Sequence, residues 1–166
     1  MSGIRSSIVI SCVVIVLSVR LSAQDITVTK ERDLSFGMTV AGTTQEFVVN
    51  LDDPGSAFFH VTGPRNANVY ISFVLPAELQ NNNGSGTIPL MFDETSAGWN
   101  RRQNQTPPPG NQFDPAVGSD ARIHPGGGGQ FGSLFVWLGG MISIDAQQPA
   151  GAYSETATII IERTDL

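Results

Sequence analysis

The stretch FGSLFVWLGGMISIDAQQPAGAYSETATIIIER, from Phe131 to Arg163, decides the fold. Its apolar runs are broken at Gly139-Gly140 and again by a turn at 149–151. From Tyr153 the residues alternate between two sets: apolar residues on one face (Tyr153, Ala157, Ile159 and Ile161) and polar residues on the other (Ser154, Thr156, Thr158 and Glu162). A period of two that is rich in β-branched residues predicts a strand with one buried face and one solvent face.

Short alternating runs elsewhere in the chain predict further strands for that apolar face to pack on. They lie at 26–29, 47–51, 57–62, 69–75 and 88–92. The runs at 57–62 and 69–75 are separated by Gly63-Pro64 and Asn66, a turn signal that predicts a hairpin. No window shows a 3.6-residue apolar period, so the sequence predicts an all-β sandwich of seven or eight short strands.

The first 23 residues have the features of an export signal. Arg5 supplies a positive start, 8–17 is almost wholly apolar, and Leu21-Ser22-Ala23 ends on a small residue. A retained membrane anchor is the alternative. The apolar run is short for the roughly 20 residues that span a bilayer, and Arg20 interrupts it. We therefore predict cleavage, which leaves residues 24–166 as one domain with no membrane span.

Charge and cysteine content restrict the partners and the environment. The formal charge is −6 for 166 residues, and it becomes −8 when Arg5 and Arg20 leave with the predicted signal. An acidic surface argues against nucleic acid or anionic lipid as a partner. Cys12 is the single cysteine and lies in the signal. The exported domain is therefore predicted to be disulfide-free, stabilised by sheet pairing and its apolar core.

The region 93–130 differs from the rest of the chain. It contains Pro107-Pro108-Pro109, four consecutive glycines at 126–129, and few aliphatic residues. Loops of this length are uncommon in compact domains, and those that occur are usually functional or disordered. We interpret the region as one long loop insertion within a single domain, because neither flank could bury a core alone.

The residues that carry chemistry in other proteins form no recognisable site here. His60 and His124 are the only histidines, which excludes a His/Cys zinc cluster in the exported domain. His60 alternates with Phe59 and Val61 and should face away from the core. Acidic pairs at 52–53 and 93–94 fit turn capping better than the spaced ligands of a calcium loop. No G-x-S-x-G nucleophile motif occurs. We therefore predict no catalytic residue, metal or cofactor, and no enzyme activity.

Three segments together carry a family resemblance: ITVTKERDLSFG (26–37), FFHVTGPRNANVYISFVLP (58–76) and LGGMISIDAQQPAGAYSETATIIIE (138–162). They resemble a family of secreted bacterial domains of unknown function that is similar to spore coat protein U and fimbrial-subunit domains. The resemblance implies an immunoglobulin-like antiparallel β-sandwich that is secreted, periplasmic or on the bacterial cell surface. It implies no known catalysis.

Fimbrial relatives omit one strand and borrow it from the next subunit, a form of β-augmentation. This chain departs from them because it lacks a cysteine pair and has only Gln24 and Asp25 before its first predicted strand. Either the domain completes itself, or 25–34 is itself the donated segment. We predict a non-enzymatic structural or surface-assembly subunit that pairs edge strands with copies of itself or with another surface subunit. The residues predicted for this pairing lie in the first and last strands (Ile26, Val28, Tyr153, Ile159 and Ile161).

A carbohydrate-binding or adhesin module is the alternative function. Its predicted site is the set of aromatic and basic residues in the long insertion (Trp99, Arg101, Arg102, Phe113 and His124). Exposed aromatic rings beside polar groups can stack on sugar rings, which would make a glycan the partner. The competing interpretation is that Trp99 anchors the loop to the sandwich. Trp137 alternates in a strand with Phe135 and is predicted to be core or sheet face.

Overall fold

The computed structural model describes residues 7–16, 26–104, 106–125 and 130–165, with only the backbone described for 7–16. Strands account for most of the described residues, and no α-helix is present among them. Antiparallel sheets pack in a sandwich-like arrangement. The predicted all-β fold is confirmed.

The described residues contain sixteen strands and one 3₁₀ turn, which is more strands than the seven or eight predicted. In chain order they are β1 (Ser7–Val16), β2 (Thr27–Arg32), β3 (Leu34–Val40), β4 (Gln45–Val49), β5 (Ala57–Pro64), β6 (Asn68–Val74), β7 (Glu78–Asn81), β8 (Thr87–Met91), β9 (Ala97–Asn100), the 3₁₀ turn Pro109–Asn111, β10 (Gln112–Phe113), β11 (Ser119–Arg122), β12 (His124–Pro125), β13 (Phe131–Leu138), β14 (Gly140–Ile144), β15 (Ala152–Ser154) and β16 (Thr156–Arg163).

The first sheet is built around β15 and β16. One edge of this pair is antiparallel to β6 and β7, and β11 extends the sheet beyond β6. From β7 the sheet continues through β8 and β14 to β4. The opposite edge of β15 and β16 pairs with β1, and β1 pairs in turn with β3. The C-terminal strands therefore lie inside the sheet.

The second sheet runs in the order β10-β9-β13-β5-β2, with β12 also paired to β13. Its centre is the eight-residue antiparallel ladder between β13 and β5. The chain passes from this sheet to the first one at Asp33, between β2 and β3. The edge strand β2 is tied down by Arg32, whose Nε donates to the Ser56 carbonyl at 2.6 Å.

The main core lies between the two sheets, as the alternating patterns predict. The first sheet contributes fully buried apolar side chains that include Ile71, Leu79, Ile88, Ile142, Tyr153 and Ile159. The second contributes Phe59, Val61, Leu134, Val136 and Leu138. The face predicted from Tyr153 to Ile161 is buried in full, and the intervening polar residues are half-buried or exposed. The prediction for this strand is confirmed.

A smaller apolar cluster lies on the outer face of the second sheet, consisting of Leu51, Phe58, Phe135 and Trp137. Phe58 and Trp137 are neighbours across β5 and β13, with ring centroids 4.8 Å apart. Leu51 and Pro107 lie over Gly98 of β9, where a side-chain carbon would meet them at 2.9 and 2.8 Å. Part of the long insertion therefore covers this cluster, and Trp137 lies on a sheet face, in line with the prediction of core or sheet face.

Two sequence-based expectations about pairing are wrong. The runs at 57–62 and 69–75 do not form a hairpin, because β5 pairs with β13 and β2 in one sheet while β6 pairs with β16 and β11 in the other. The region 93–130 is not one loop, because β9, β10, β11 and β12 lie within it. Of these strands, β9 pairs with β13 and β11 pairs with β6, and turn signals cannot reveal pairings between segments so far apart in sequence.

Gly139 is required by a close approach between β4 and the connection from β13 to β14. A Cβ at this position would lie 2.2 Å from the Val49 carbonyl oxygen, and the Gly139 N–H donates to the Ser96 carbonyl at 2.8 Å. Since both neighbours are backbone atoms, neither can move without disturbing its own strand or turn.

We expect Gly139→Ala to lower the free energy of unfolding by roughly 1–3 kcal/mol, the usual cost of forcing extra volume into a packed site. Urea denaturation measures this change. Gly110→Ala is the matched control, since nothing lies within 4 Å of its Cβ position, and it should change stability by less than about 0.5 kcal/mol. Equal midpoints for both variants would contradict this assignment.

Candidate functional site

Residues 7–16, part of the predicted export signal, occupy a slot one strand wide in the first sheet. The strand β1 runs antiparallel to β3, from Ser7 opposite Val40 to Cys12 opposite Leu34. It runs parallel to the C-terminal strands, with Val9 opposite Ala152 and Val13 to Val16 opposite 156–159. We call the space between β3 and β15–β16 the strand slot.

The strand β3 depends on the strand slot for its pairing. Among the described residues, β1 is the only strand that forms a ladder with β3. The register shifts between Ile10 and Ser11, and Gly37 lies beside this irregularity with a φ of 79°. Glycine adopts this left-handed backbone without the steric cost that a side chain brings, and it often marks a bulge. Gly37 therefore marks the point where the ladder between β3 and β1 is irregular.

The residues predicted for edge-strand pairing take two positions. Tyr153, Ile159 and Ile161 point into the main core, so their strands, not their side chains, would do the pairing. Ile26 and Val28 are half-buried against the same core, and β2 ends the second sheet. The sequence prediction missed β3, although the buried alternation of Leu34 and Phe36 marks it as a strand.

The five residues predicted to bind glycan divide between the core and the surface. Phe113 is buried and its ring lies 6.5 Å from that of Phe73, while Trp99 is half-buried against the main core. Arg101, Arg102 and His124 are exposed. The two aromatic rings therefore face inward, as in the interpretation that Trp99 anchors its segment. Carbohydrate binding by this set remains a prediction.

His60 lies on the outer face of the second sheet, away from the main core as predicted. Its Nε2 lies 3.0 Å from Ser133 Oγ, across the β5–β13 ladder, and its ring stacks on Phe135 at 4.7 Å. The imidazole is thus held by a cross-strand neighbour and an aromatic ring. A structural role explains both contacts.

An open cavity of about 560 Å³ lies where β4 and β8 end and β14 begins. We call it the end cleft. The turn at 50–52 forms one wall, and the segment 92–96 forms another. Thr106 and Gln112 from the long insertion complete it. Sequence reasoning missed the cleft because its residues carry no motif, and two of its acidic residues, Asp52 and Asp93, fit turn capping.

Asp93 shapes the wall of the end cleft through hydrogen bonds to its own turn. Its Oδ1 accepts from the Thr95 N–H at 2.8 Å, from Thr95 Oγ1 at 2.9 Å and from Ser96 Oγ at 3.0 Å. These bonds, that from the Thr95 N–H foremost, hold the pKa of the Asp93 carboxyl below its ordinary value. The turn is therefore stabilised by the ionised form.

Because the pKa of Asp93 is lowered in the folded protein, its contribution to stability is present above the unfolded pKa of about 4. That contribution is lost as the pH falls through the lower folded pKa. We expect Asp93→Asn to reduce the thermal midpoint at pH 7, with a smaller reduction at about pH 2.5, as measured by circular dichroism. Glu94→Gln, an exposed neighbour in the same turn, is the control and should change neither midpoint. A reduction for Asp93→Asn that is constant with pH would contradict the role given to the carboxylate.

No metal centre is evident among the described residues, since no three His, Cys, Asp or Glu side chains come together. A search of the same part of the chain finds no helix that is both long and apolar enough to cross a membrane. In comparisons with known proteins, no family model matches the chain and no curated protein matches it significantly. The family resemblance stated above remains a prediction.

Proposed function

We propose that the protein is a secreted, non-enzymatic subunit of a surface structure, and that it assembles by accepting an extended segment into the strand slot. One observation carries the proposal: among the residues that the structure describes, β3 and β15–β16 are joined in one sheet only through residues 7–16, which the sequence predicts to be removed on export. The proposal refines the edge-strand pairing expected from sequence, because it adds β3 as the second edge.

Removal of residues 7–16 would leave two strand edges facing each other across the width of one strand. The six register pairs with β3 and the six with β15 and β16 would all be lost. Unpaired N–H and C=O groups of an edge recruit another strand, which is the basis of β-augmentation. A segment entering here satisfies two edges at once, so it gains more hydrogen bonds than it would at an ordinary sheet edge.

The side chains beside the strand slot add an apolar contribution. Leu34 and Phe36 of β3, and Ala157 and Ile159 of β16, are 0–6% exposed while β1 is in place. We expect them to be partly uncovered once β1 is absent. Burying apolar surface contributes about 25 cal/mol per Å², which favours a donor with apolar side chains toward the core.

The donor that fits this slot is an extended, mainly apolar segment of another copy or of another surface subunit. The orientation of β1 predicts that it lies parallel to β16 and antiparallel to β3. The segment 25–34 is a poor donor in this structure, because β2 already pairs with β5 of its own domain. A chain that retained residues 7–16 would complete itself instead.

The proposal predicts that residues 24–166, but not the full chain, bind a peptide with the sequence of residues 7–16. The peptide carries Cys12→Ser and flanking lysines for solubility. We expect it to bind the shortened chain in fluorescence anisotropy and to raise its thermal midpoint. In size-exclusion chromatography the shortened chain alone should form concentration-dependent oligomers that the peptide dissociates.

The matched control is the same peptide with Val14→Pro, which should abolish binding because proline is not accommodated in a strand that is paired on both sides; Val14 lies opposite Ala157. A second control is the full chain, whose slot is occupied. A shortened chain that is monomeric at every concentration and binds neither peptide would refute assembly through the strand slot. Equal binding of the two peptides would show adhesion without strand pairing and would also refute it.

A further inference from the structure

The floor of the end cleft is an apolar row that crosses three strands. Val48 of β4 lies opposite Met141 of β14, and Met141 lies opposite Met91 of β8. Val48 is 56% exposed, Met91 is 37% exposed, and Met141 is half-buried. Three aligned apolar side chains left open to water within a concavity favour a binding surface over a packing surface.

The walls of the end cleft are polar but carry no positive charge. The polar residues that line them include Asn50, Asp52, Thr95, Ser96, Thr106 and Gln112. No lysine, arginine or histidine of the described part of the chain lines the cavity. Hydroxyl, amide and carboxylate groups therefore surround an apolar floor, which gives the cleft both hydrogen-bond donors and a surplus of acceptors.

The walls are held in place by hydrogen bonds within the turns that form them. The Asn50 N–H donates to Asp53 Oδ2 at 2.6 Å, and Gln112 Nε2 donates to the Pro107 carbonyl at 3.2 Å. On the other wall, the Ser96 carbonyl accepts from the Gly139 N–H, and Asp93 closes its own turn. A cleft formed in advance loses little conformational entropy when a ligand binds.

We propose that the end cleft binds a neutral saccharide unit. The C–H face of a sugar ring would pack on the row Val48–Met141–Met91, and its hydroxyls would exchange hydrogen bonds with the polar walls. An anionic ligand would meet Asp52 and Asp93 in a chain of charge −6. A wholly apolar ligand would leave the polar walls without water or partners, which is costly. The volume of about 560 Å³ falls within the range of ligand pockets.

The end cleft is independent of the strand slot and of the glycan site predicted from the sequence. It is formed by β4, β8 and β14, whereas the slot lies between β3 and β15–β16. Neither Trp99, Arg101 nor His124 lines it. Loss of sugar binding therefore says nothing about assembly, and the converse also holds.

The test is saturation-transfer NMR of the full chain with neutral mono- and disaccharides and with sialylated and sulfated sugars. We expect at least one neutral sugar to bind and the anionic sugars not to bind. The backbone amides of Thr95, Ser96 and Met141 should shift on titration. Asp52→Ala and Met91→Ala should each weaken binding by about tenfold, as expected from a lost charged hydrogen bond or apolar contact.

Asp120→Ala and Met38→Ala are the matched controls, because both residues are exposed and lie outside the cleft. They should bind as the unchanged protein does. Four results would each overturn the proposal. The first two concern the ligand: no neutral sugar binds at about 10 mM, a concentration well above the 1 mM dissociation constant of a weak ligand, or only anionic sugars bind. The other two concern the site: the amide shifts are confined to 99–102 and 124, or the cleft variants and the control variants bind with equal affinity. Amide shifts read the site directly, so the test holds even where a variant fails to fold.

Discussion

The structure depends on the need of β15 and β16 for hydrogen-bonding partners on both edges. Their apolar side chains form part of the core, with Tyr153, Ala157 and Ile159 fully buried. Backbone N–H and C=O groups of a buried strand cost free energy when they are left without hydrogen-bonding partners, so both edges must be paired. One edge is satisfied by β6 and β7. The other is satisfied by residues 7–16 and by nothing else in the described chain. Every proposal about assembly follows from what becomes of that second edge.

A single stretch of sequence thus has two incompatible uses. The run 8–17 is apolar and rich in isoleucine and valine, without the alternation that would mark one wet face. An export signal needs such a run, and so does a strand that is enclosed on both faces; periodicity cannot distinguish them. In the structure, residues 7–16 pair with strands of the first sheet on both edges. Under the proposed function, cleavage on export would convert a self-completed domain into one with an open slot, and processing of the chain would control its assembly.

The sequence predicted which face of a strand is buried better than it predicted which strands pair with each other. The alternation from Tyr153 to Ile161 and that of Phe59 and Val61 identified the buried face correctly, because side-chain direction in a strand is a local property. The hairpin expected between 57–62 and 69–75 is wrong because pairing is not local. The turn that follows Pro64, closed by the Ala67 N–H donating to the Pro64 carbonyl, carries the chain from one sheet to the other. The proline- and glycine-rich composition of 93–130 concealed β9 and β11, whose partners β13 and β6 lie outside that region.

The end cleft illustrates why a candidate site of this kind escapes sequence reasoning. Val48, Met91 and Met141 belong to three strands, and only their register places them in one row. The polar walls come from turn residues such as Asp93, whose carboxylate is explained locally by Thr95 and Ser96. What brings floor and walls together is the contact of Gly139 with the end of β4, where no side chain fits. From the sequence alone, Gly139 indicates only a break between strands. In the structure it lets β4 and β14 approach each other closely, and the turns at the ends of these strands therefore surround one cavity.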